Sequence, residues 1–494
     1  MGIFNFYNWF KKNHGSHIRR VHFLRPFSAP IDTLIIDMNG IFHTSAQRVH
    51  GYGRHKTKQT AASVAEDIVA SIHNIVKMTK PKKNLLLFVD GVAPACKMEQ
   101  QRQRRFRNAN EQTAGAFDPN CLSAGTEVMR ELCAAVRRAI PTFKLNVHLS
   151  DDLEAGEGEH KAMAYIREHK GLGGVCIYGS DADLIILGLL TNRFNFFVLR
   201  EDNEGKHEII NVSGVAGVLK TLMDWRMLHP STRDYDPRQA ITDFCFLTFL
   251  VGNDFLPHVP SVEILENGIE TLIGLYYAAS AEHGHLTSTS RGKTHINHLA
   301  LRALFFKIGQ LEKQLLEAKI ARARLYFPDE LLIQSTSAAG ELNLADYRDR
   351  YNSEHFGGSA NVARVCCKYV DGLQFVLHYY TSGATDWTWK FGHLYAPFAS
   401  DLAHGNHVPL KFSKKPPLSV EAQLVHILPP QSFYLLPREL RDIHTDKRLR
   451  VFFPSAVDVD LSGKRREYQG IIQLVAMDTD LLRKVVGERM GVRA

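Results

Sequence analysis

Val175-Cys-Ile-Tyr-Gly-Ser-Asp181-Ala-Asp183 is the stretch on which the fold turns. Four apolar residues, two of them β-branched, run into a Gly-Ser turn signal and then into two aspartates. A run that short, bounded by turn residues, reads as a buried strand. The same ending recurs in Leu34-Ile-Ile-Asp37 and Leu86-Leu-Phe-Val-Asp90. Strands are predicted at residues 33–36, 85–89, 145–149 and 175–178, and helices at 62–78, 126–139 and 160–168. This alternation specifies an α/β fold whose central sheet is mainly parallel and flanked by helices. In such a sheet the carboxyl ends of the strands converge on one edge, where open α/β sheets bind ligands. Asp37, Asp90, Asp181 and Asp183 should therefore form one acidic cluster.

Two further motifs share that character: Gly156-Glu157-Gly158-Glu159-His160-Lys161 at an expected helix start, and Leu250-Val-Gly-Asn-Asp254. Taken singly, an aspartate after a strand is usually a turn residue or a helix cap. Five motifs of one kind call for a shared explanation. Carboxylates brought together repel one another, which implies bound cations. Hard oxygen donors without an organised His or Cys set point to Mg²⁺ or Mn²⁺ rather than zinc.

Directly after the strand that ends at Asp90 comes Lys97-Met-Glu-Gln-Gln101-Arg102-Gln-Arg104-Arg105-Phe-Arg107. As a helix this places Lys97, Gln101, Arg104 and Arg105 at i, i+4, i+7 and i+8, on one face. Three cations and an amide there make a phosphate pocket, Arg supplying forked contacts and Lys a point charge. A basic run is more commonly a solvated helix face, but this one lies next in sequence to the acidic cluster.

The remainder of the chain sets bounds. Its 494 residues exceed the roughly 100 to 200 of one domain, so two or more are expected. With 45% hydrophobic and 23% charged residues, disordered, collagenous and coiled-coil classes are excluded. The net charge of +8 mildly favours a polyanionic partner. No apolar stretch approaches the roughly 20 residues that span a bilayer. Seven scattered cysteines without metal-site spacing fit a reducing intracellular compartment better than a disulfide framework. Residues 1–31 carry no acidic residue, but Phe4, Phe6, Tyr7, Trp9 and Phe10 mark a structured arm rather than a cleaved presequence. Three regions are expected: 1–270 with the carboxylates, 271–340 a helical connection with a polar surface loop at 283–297, and 341–494 a second, largely helical block. The aromatic density of 369–395 requires that this block pack on the first and wall the site.

Six stretches, in order, resemble the motifs of the Xrn family of processive 5′→3′ exoribonucleases, within the flap-endonuclease and PIN-like group. They are IDTLIIDMNGIFH (31–43), LLLFVDGVAPACKMEQQRQRRFR (85–107), AGEGEHKAMAYIR (155–167), CIYGSDADLIILGL (176–189), FLVGNDFLPHVP (249–260) and YVDGLQFVLHYYTSGATDWTWKFGHLYAPFASDL (369–402). The resemblance implies a nuclease domain at 1–270 with metal ligands at Asp37, Asp90, Glu157, Glu159, Asp181, Asp183 and Asp254. It also implies a 5′-monophosphate pocket at Lys97, Gln101, Arg104 and Arg105, and terminal-base stacking on His43 and on Trp387 or Trp389. Arg102, off the shared face, is expected to serve general RNA affinity alone. The opening Met1-Gly-Ile-Phe-Asn5 departs from the family's Met-Gly-Val-Pro.

The implied activity is hydrolysis of single-stranded RNA from a 5′-monophosphate end to nucleoside 5′-monophosphates, with two Mg²⁺ or Mn²⁺ ions. A structure-specific flap-type DNA endonuclease is the rival enzyme, against which the basic helix and the second aromatic block argue. A catalytically silent RNA-binding scaffold is the rival of another class; its signature would be lost ligands, and none is lost. A nuclear or cytoplasmic setting is expected over a mitochondrial one, with RNA and not a membrane as partner.

Overall fold

The structure, a computed structural model, describes residues 2–21, 29–51, 60–109, 117–202, 204–229, 234–323, 326–405, 412–413 and 415–491. Residues 1 and 22–28 of the expected amino-terminal arm lie outside the described residues. The central strands are β1 (Ile18–Val21), β2 (Thr33–Asp37), β3 (Asn84–Phe88), β4 (Asn146–Ser150), β5 (Val175–Tyr178), β6 (Phe196–Glu201) and β7 (His207–Asn211). They form one sheet in the order β1-β7-β6-β5-β2-β3-β4. The run from β6 to β4 is parallel, while β7 and β1 extend it antiparallel.

Side chains along the strands alternate as a two-sided buried sheet requires. Leu34, Ile36, Leu85 and Leu87 pack with residues of the helices Met38–Val49, Ala61–Thr79 and Glu127–Ala139. Ile35, Leu86 and Phe88 face the opposite core. Ile36 pairs with both Leu87 and Tyr178, so β2, β3 and β5 end flush. The chain leaves β2 for β3 and β4 on one side, then returns to β5 and β6 on the other. That reversal opens a crevice at the carboxyl end of β2.

The second core joins the sheet to the helical block without interruption across residues 270 and 340. It holds Phe6, Trp9 and Phe10 of the amino-terminal helix Phe6–His14, together with apolar residues of Pro237–Phe249, Gly268–His283, His298–Ala323 and Val362–Ser382. A third core gathers the region from Leu418 to Val486 around Met98 and Phe106. Among the described residues, no helix is long and apolar enough to cross a membrane.

The polar stretch 283–297 is not the surface loop expected of it. It contains a β-hairpin, Thr287–Ser290 paired with Lys293–Ile296. Buried Asp243 accepts from the Leu286 N–H at 3.2 Å and from the Thr287 N–H at 2.8 Å, and Gln374 bridges Ile296 N–H and the Thr294 carbonyl. Composition misleads here because polar groups can be buried once distant side chains satisfy their hydrogen bonds. The exposed tip carries Arg291 at φ 49°. Cutting at a protease site engineered between Arg291 and Gly292 should leave the two fragments co-eluting on size exclusion; free separation would contradict a shared core.

Candidate active site

Asp37 ends β2 and caps the helix Met38–Val49, accepting from the Asn39 N–H at 3.4 Å. Asn39 in turn fixes Asp90: its amide donates to Asp90 Oδ2 at 2.8 Å, and its Oδ1 accepts from the Asp90 N–H at 3.0 Å. Asp90 Oδ1 also accepts from the Gly158 N–H at 2.6 Å. A Cβ on Gly158 would stand 2.9 Å from the Phe88 carbonyl oxygen and 3.1 Å from Asp37 Oδ1. Only glycine admits this approach, which delivers Glu157 and Glu159 at the start of the helix Gly158–Glu168. Asp183 opens the helix Asp183–Leu190, and Asp254 follows the helix Pro237–Phe249.

Side chains and backbone from far along the chain complete the site. Tyr379 OH donates to Glu157 Oε1 at 2.5 Å and Tyr380 OH to Asp183 Oδ2 at 2.6 Å, both from the helix Val362–Ser382. The Gly2 N–H donates to Asp254 Oδ1 at 2.9 Å and the Ile3 N–H to Asp183 Oδ1 at 3.2 Å. A Cβ on Gly2 would fall 1.7 Å from Asp183 Oδ1. Buried His160 stacks on Tyr379 at 3.8 Å. The sequence reading passes over all five; the doubled Tyr379-Tyr380 in an apolar helix carries no signal of its own, because tyrosine there reads as core.

Burial pushes Asp37, Asp90, Glu157 and Glu159 above the usual carboxylate range, with neighbouring carboxylates adding to it. Asp183 is pushed up to about 6 by burial and by Asp254. Burial acts on Asp181 in the same sense, yet nearby positive charge, Lys97 and Arg104 included, holds it below that range. Lys97 opposes the cluster directly, its Nζ 2.7 Å from Glu157 Oε2 and 2.9 Å from Asp254 Oδ2. Burial would pull its proton off, but those carboxylates hold it well above the usual lysine range.

Divalent cations fit this donor set. Buried oxygen donors whose carboxyls are mostly pushed toward protonation are undercompensated by the cations around them, and hard oxygen ligands suit Mg²⁺ or Mn²⁺. Ligand atoms of Glu157, Glu159 and His160 lie within 4.8 Å of one another, all buried.

The helix Ala95–Ala109 is two-faced. Lys97 lies among the carboxylates, while Arg105 Nη1 donates to Ser123 Oγ at 2.8 Å. Burial, then Arg104, pulls the Arg105 guanidinium down to about 9. His43 lies close enough to feel both Arg104 and Arg105; burial first, then those charges, lower it to about 4. Trp387 is partly exposed and its carbonyl receives the Ala95 N–H at 2.9 Å, at the start of this helix. Trp389 is a core residue instead, stacked on Phe375 at 4.3 Å, so its ring offers no platform. Arg102 also departs from expectation: it is fully buried on the opposite face and cannot touch RNA. Its guanidinium donates to Glu99 at 2.8 Å, to the Val475 carbonyl at 2.9 Å and to the Phe452 carbonyl.

Two family profiles match the sequence. One, described as the XRN 5′-3′ exonuclease N-terminus, covers residues 1–202; the other, described as the Xrn1 helical domain, covers 234–346 and 334–488. The chain is 27% identical to 5′-3′ exoribonuclease 2 of Arabidopsis thaliana over 96% of itself and 66% of that protein. It is 27% identical to 5′-3′ exoribonuclease 1 of Homo sapiens over 97% of itself and 33% of that protein. The chain thus spans under two thirds of one relative and a third of the other. Among solved structures, the catalytic core of Rad2 in complex with DNA aligns with 71% of the chain and 86% of its own, at 14% identity and a TM-score of 0.36. The flap endonuclease D15 of bacteriophage T5 aligns with 59% and 93%, at 15% identity and a TM-score of 0.30.

Two outcomes follow from this geometry. Arg102→Ala leaves two buried carbonyls without their donor and takes one of Glu99's partners, His426 and the Met477 N–H remaining, and should destabilise the protein by about 3 to 5 kcal/mol, read as a fall in denaturation midpoint. A stability unchanged from wild type would contradict the buried assignment. Asp183 titrates near 6, above the ~3.9 of an unfolded chain. Between those values the folded state holds more protons, so metal-free stability should fall as pH rises from about 4 through 6. Melts in EDTA should show that fall, and Asp183→Asn should lessen it and raise the melting temperature at pH 7.

Proposed function

The chain belongs to the XRN 5′-3′ exonuclease family, and on that premise we propose that it is a metal-dependent 5′→3′ exoribonuclease. Its substrate is single-stranded RNA with a 5′-monophosphate end, and its products are nucleoside 5′-monophosphates. The observation that carries this reading is the helix Ala95–Ala109, whose Lys97 sits among the carboxylates while its Arg104 and Arg105 lie beside His43. A phosphate held there by Gln101, Arg104 and Arg105 lies within reach of the acidic cluster on the same helix face.

Each group then has a part. Arg104 and Arg105 offer forked donors to the terminal phosphate, and Gln101 adds an amide. Lys97 bridges the phosphate side and the carboxylates. His43, lowered to about 4, is a neutral ring at pH 7 and stacks on a base, with Trp387 as the second platform. Asp37, Asp90, Glu157, Glu159, Asp181, Asp183 and Asp254 would hold two Mg²⁺ or Mn²⁺ ions, which when bound supply an activated water and charge stabilisation at the leaving oxygen. Tyr379 and Tyr380 orient Glu157 and Asp183 for that task.

The test is a set of initial rates, with Mg²⁺, on one RNA sequence bearing a 5′-monophosphate, hydroxyl or triphosphate. The monophosphate should be preferred strongly. Charge-assisted hydrogen bonds of about 1.5 to 3 kcal/mol imply that Arg105→Ala lowers the monophosphate rate roughly ten- to a hundredfold, with the slow hydroxyl reaction little changed. Equal rates on monophosphate and hydroxyl ends, or full activity in Asp183→Asn, would overturn the reading.

A further inference from the structure

Tyr380 serves a second cavity as well as Asp183. A cavity of about 220 Å³ lies between the helices Gly158–Glu168 and Asp183–Leu190 and is closed on one side by Tyr380 and Thr381. Met163, Ile166, Leu187 and Leu190 make its walls apolar. Its charged lining is Arg167, Lys170 and Arg193, and among the described residues no carboxylate lines it. Among the described residues Arg167 and Lys170 form no ion pair, and Arg193 makes one long contact, Nη2 to the Gly173 carbonyl at 3.4 Å. Arg167 and Lys170 are exposed and Arg193 is half-buried, with Glu168 near Arg167.

Three cations line one concave pocket, and an anion seated there would be shared among them. Forked guanidinium donors suit phosphate. The next residue along, Phe194, is 84% exposed, on a turn held by Asn192 and Asn195 at φ 50° and 56°. Phe194 does not line the cavity itself, but an exposed ring one residue from a lining cation offers a base a face to stack upon.

We propose that this cavity is a second nucleotide site, separate from the carboxylate cluster. It takes a phosphate on Arg167, Lys170 and Arg193, with the sugar over the apolar walls and the base on Phe194. The nucleotide is either a free monophosphate or one unit of an RNA strand. The inference does not depend on the hydrolytic reading, since it concerns other residues and a binding event.

Titration calorimetry of the full chain in EDTA and low salt tests it, on an Arg104→Ala/Arg105→Ala background that removes the phosphate pocket proposed above. That protein should still bind AMP in a one-to-one ratio, at least tenfold more tightly than adenosine. Adding Arg167→Ala/Arg193→Ala should weaken AMP at least tenfold without lowering the melting temperature, and Arg167→Gln/Arg193→Gln, which keeps side-chain bulk, should do the same. Phe194→Ala should cost about threefold. Displacement of AMP by a 5′-hydroxyl oligoribonucleotide identifies RNA as the source, and failure to displace it leaves the free nucleotide; either supports the site. Equal affinity for AMP and adenosine, AMP affinity indifferent to Arg167 and Arg193, or no binding would overturn it.

Discussion

Like charges buried at the carboxyl edge of a parallel sheet must be offset or they unfold the site that holds them. Here the offset comes from segments that no sequence window joins. Gly158 N–H steadies Asp90, the backbone of Gly2 and Ile3 steadies Asp254 and Asp183, and two tyrosine hydroxyls reach Glu157 and Asp183 from the helix Val362–Ser382. Lys97 places its ammonium in direct contact with two of the carboxylates, Glu157 and Asp254. The compensation is partial, as the raised carboxyls show, and a partly compensated acidic cluster is what a divalent cation requires of its site.

The helix Ala95–Ala109 ties this cluster to the carboxy-terminal region. Met98, Arg102 and Phe106 recur every four residues and enter the third core, where Glu99 pairs with Arg102 and His426. Such buried pairs contribute less net stability than their geometry suggests, but they punish any other docking of the two regions. Lys97 and Arg105, on the other face, are thereby held in register with the carboxylates. One helix carries both the docking of the C-terminal region and the cationic face of the site, so a change on either face is felt by the other.

The strands β2, β3 and β5 were legible because apolar runs of four or five residues ending in turn signals have few alternatives. β1 was not, since Ile18-Arg-Arg-Val21 at a sheet edge has no apolar period to read. The 283–297 hairpin was hidden by its polar composition, and Asp243, whose side chain pins it, lies forty residues upstream. Arg102 could be placed off the phosphate face by helical spacing, but spacing says nothing of what the other face meets; a guanidinium expected to serve general RNA affinity is buried and donates to two carbonyls.

The sequence by itself determined the α/β class, the convergence of the aspartates on one sheet edge and the face shared by Lys97, Gln101, Arg104 and Arg105. Each of these follows from a local period or from the position of a residue at a strand end, and local periods survive in one dimension. Only the tertiary structure buried Trp389 and Arg102, left Trp387 partly exposed, and brought Tyr379, Tyr380, Gly2 and His160 to the carboxylates. Those outcomes depend on which distant surfaces pack together. A tyrosine that fills a core and a tyrosine that orients an acid are the same residue in the same helical pattern until the partner of its hydroxyl is known.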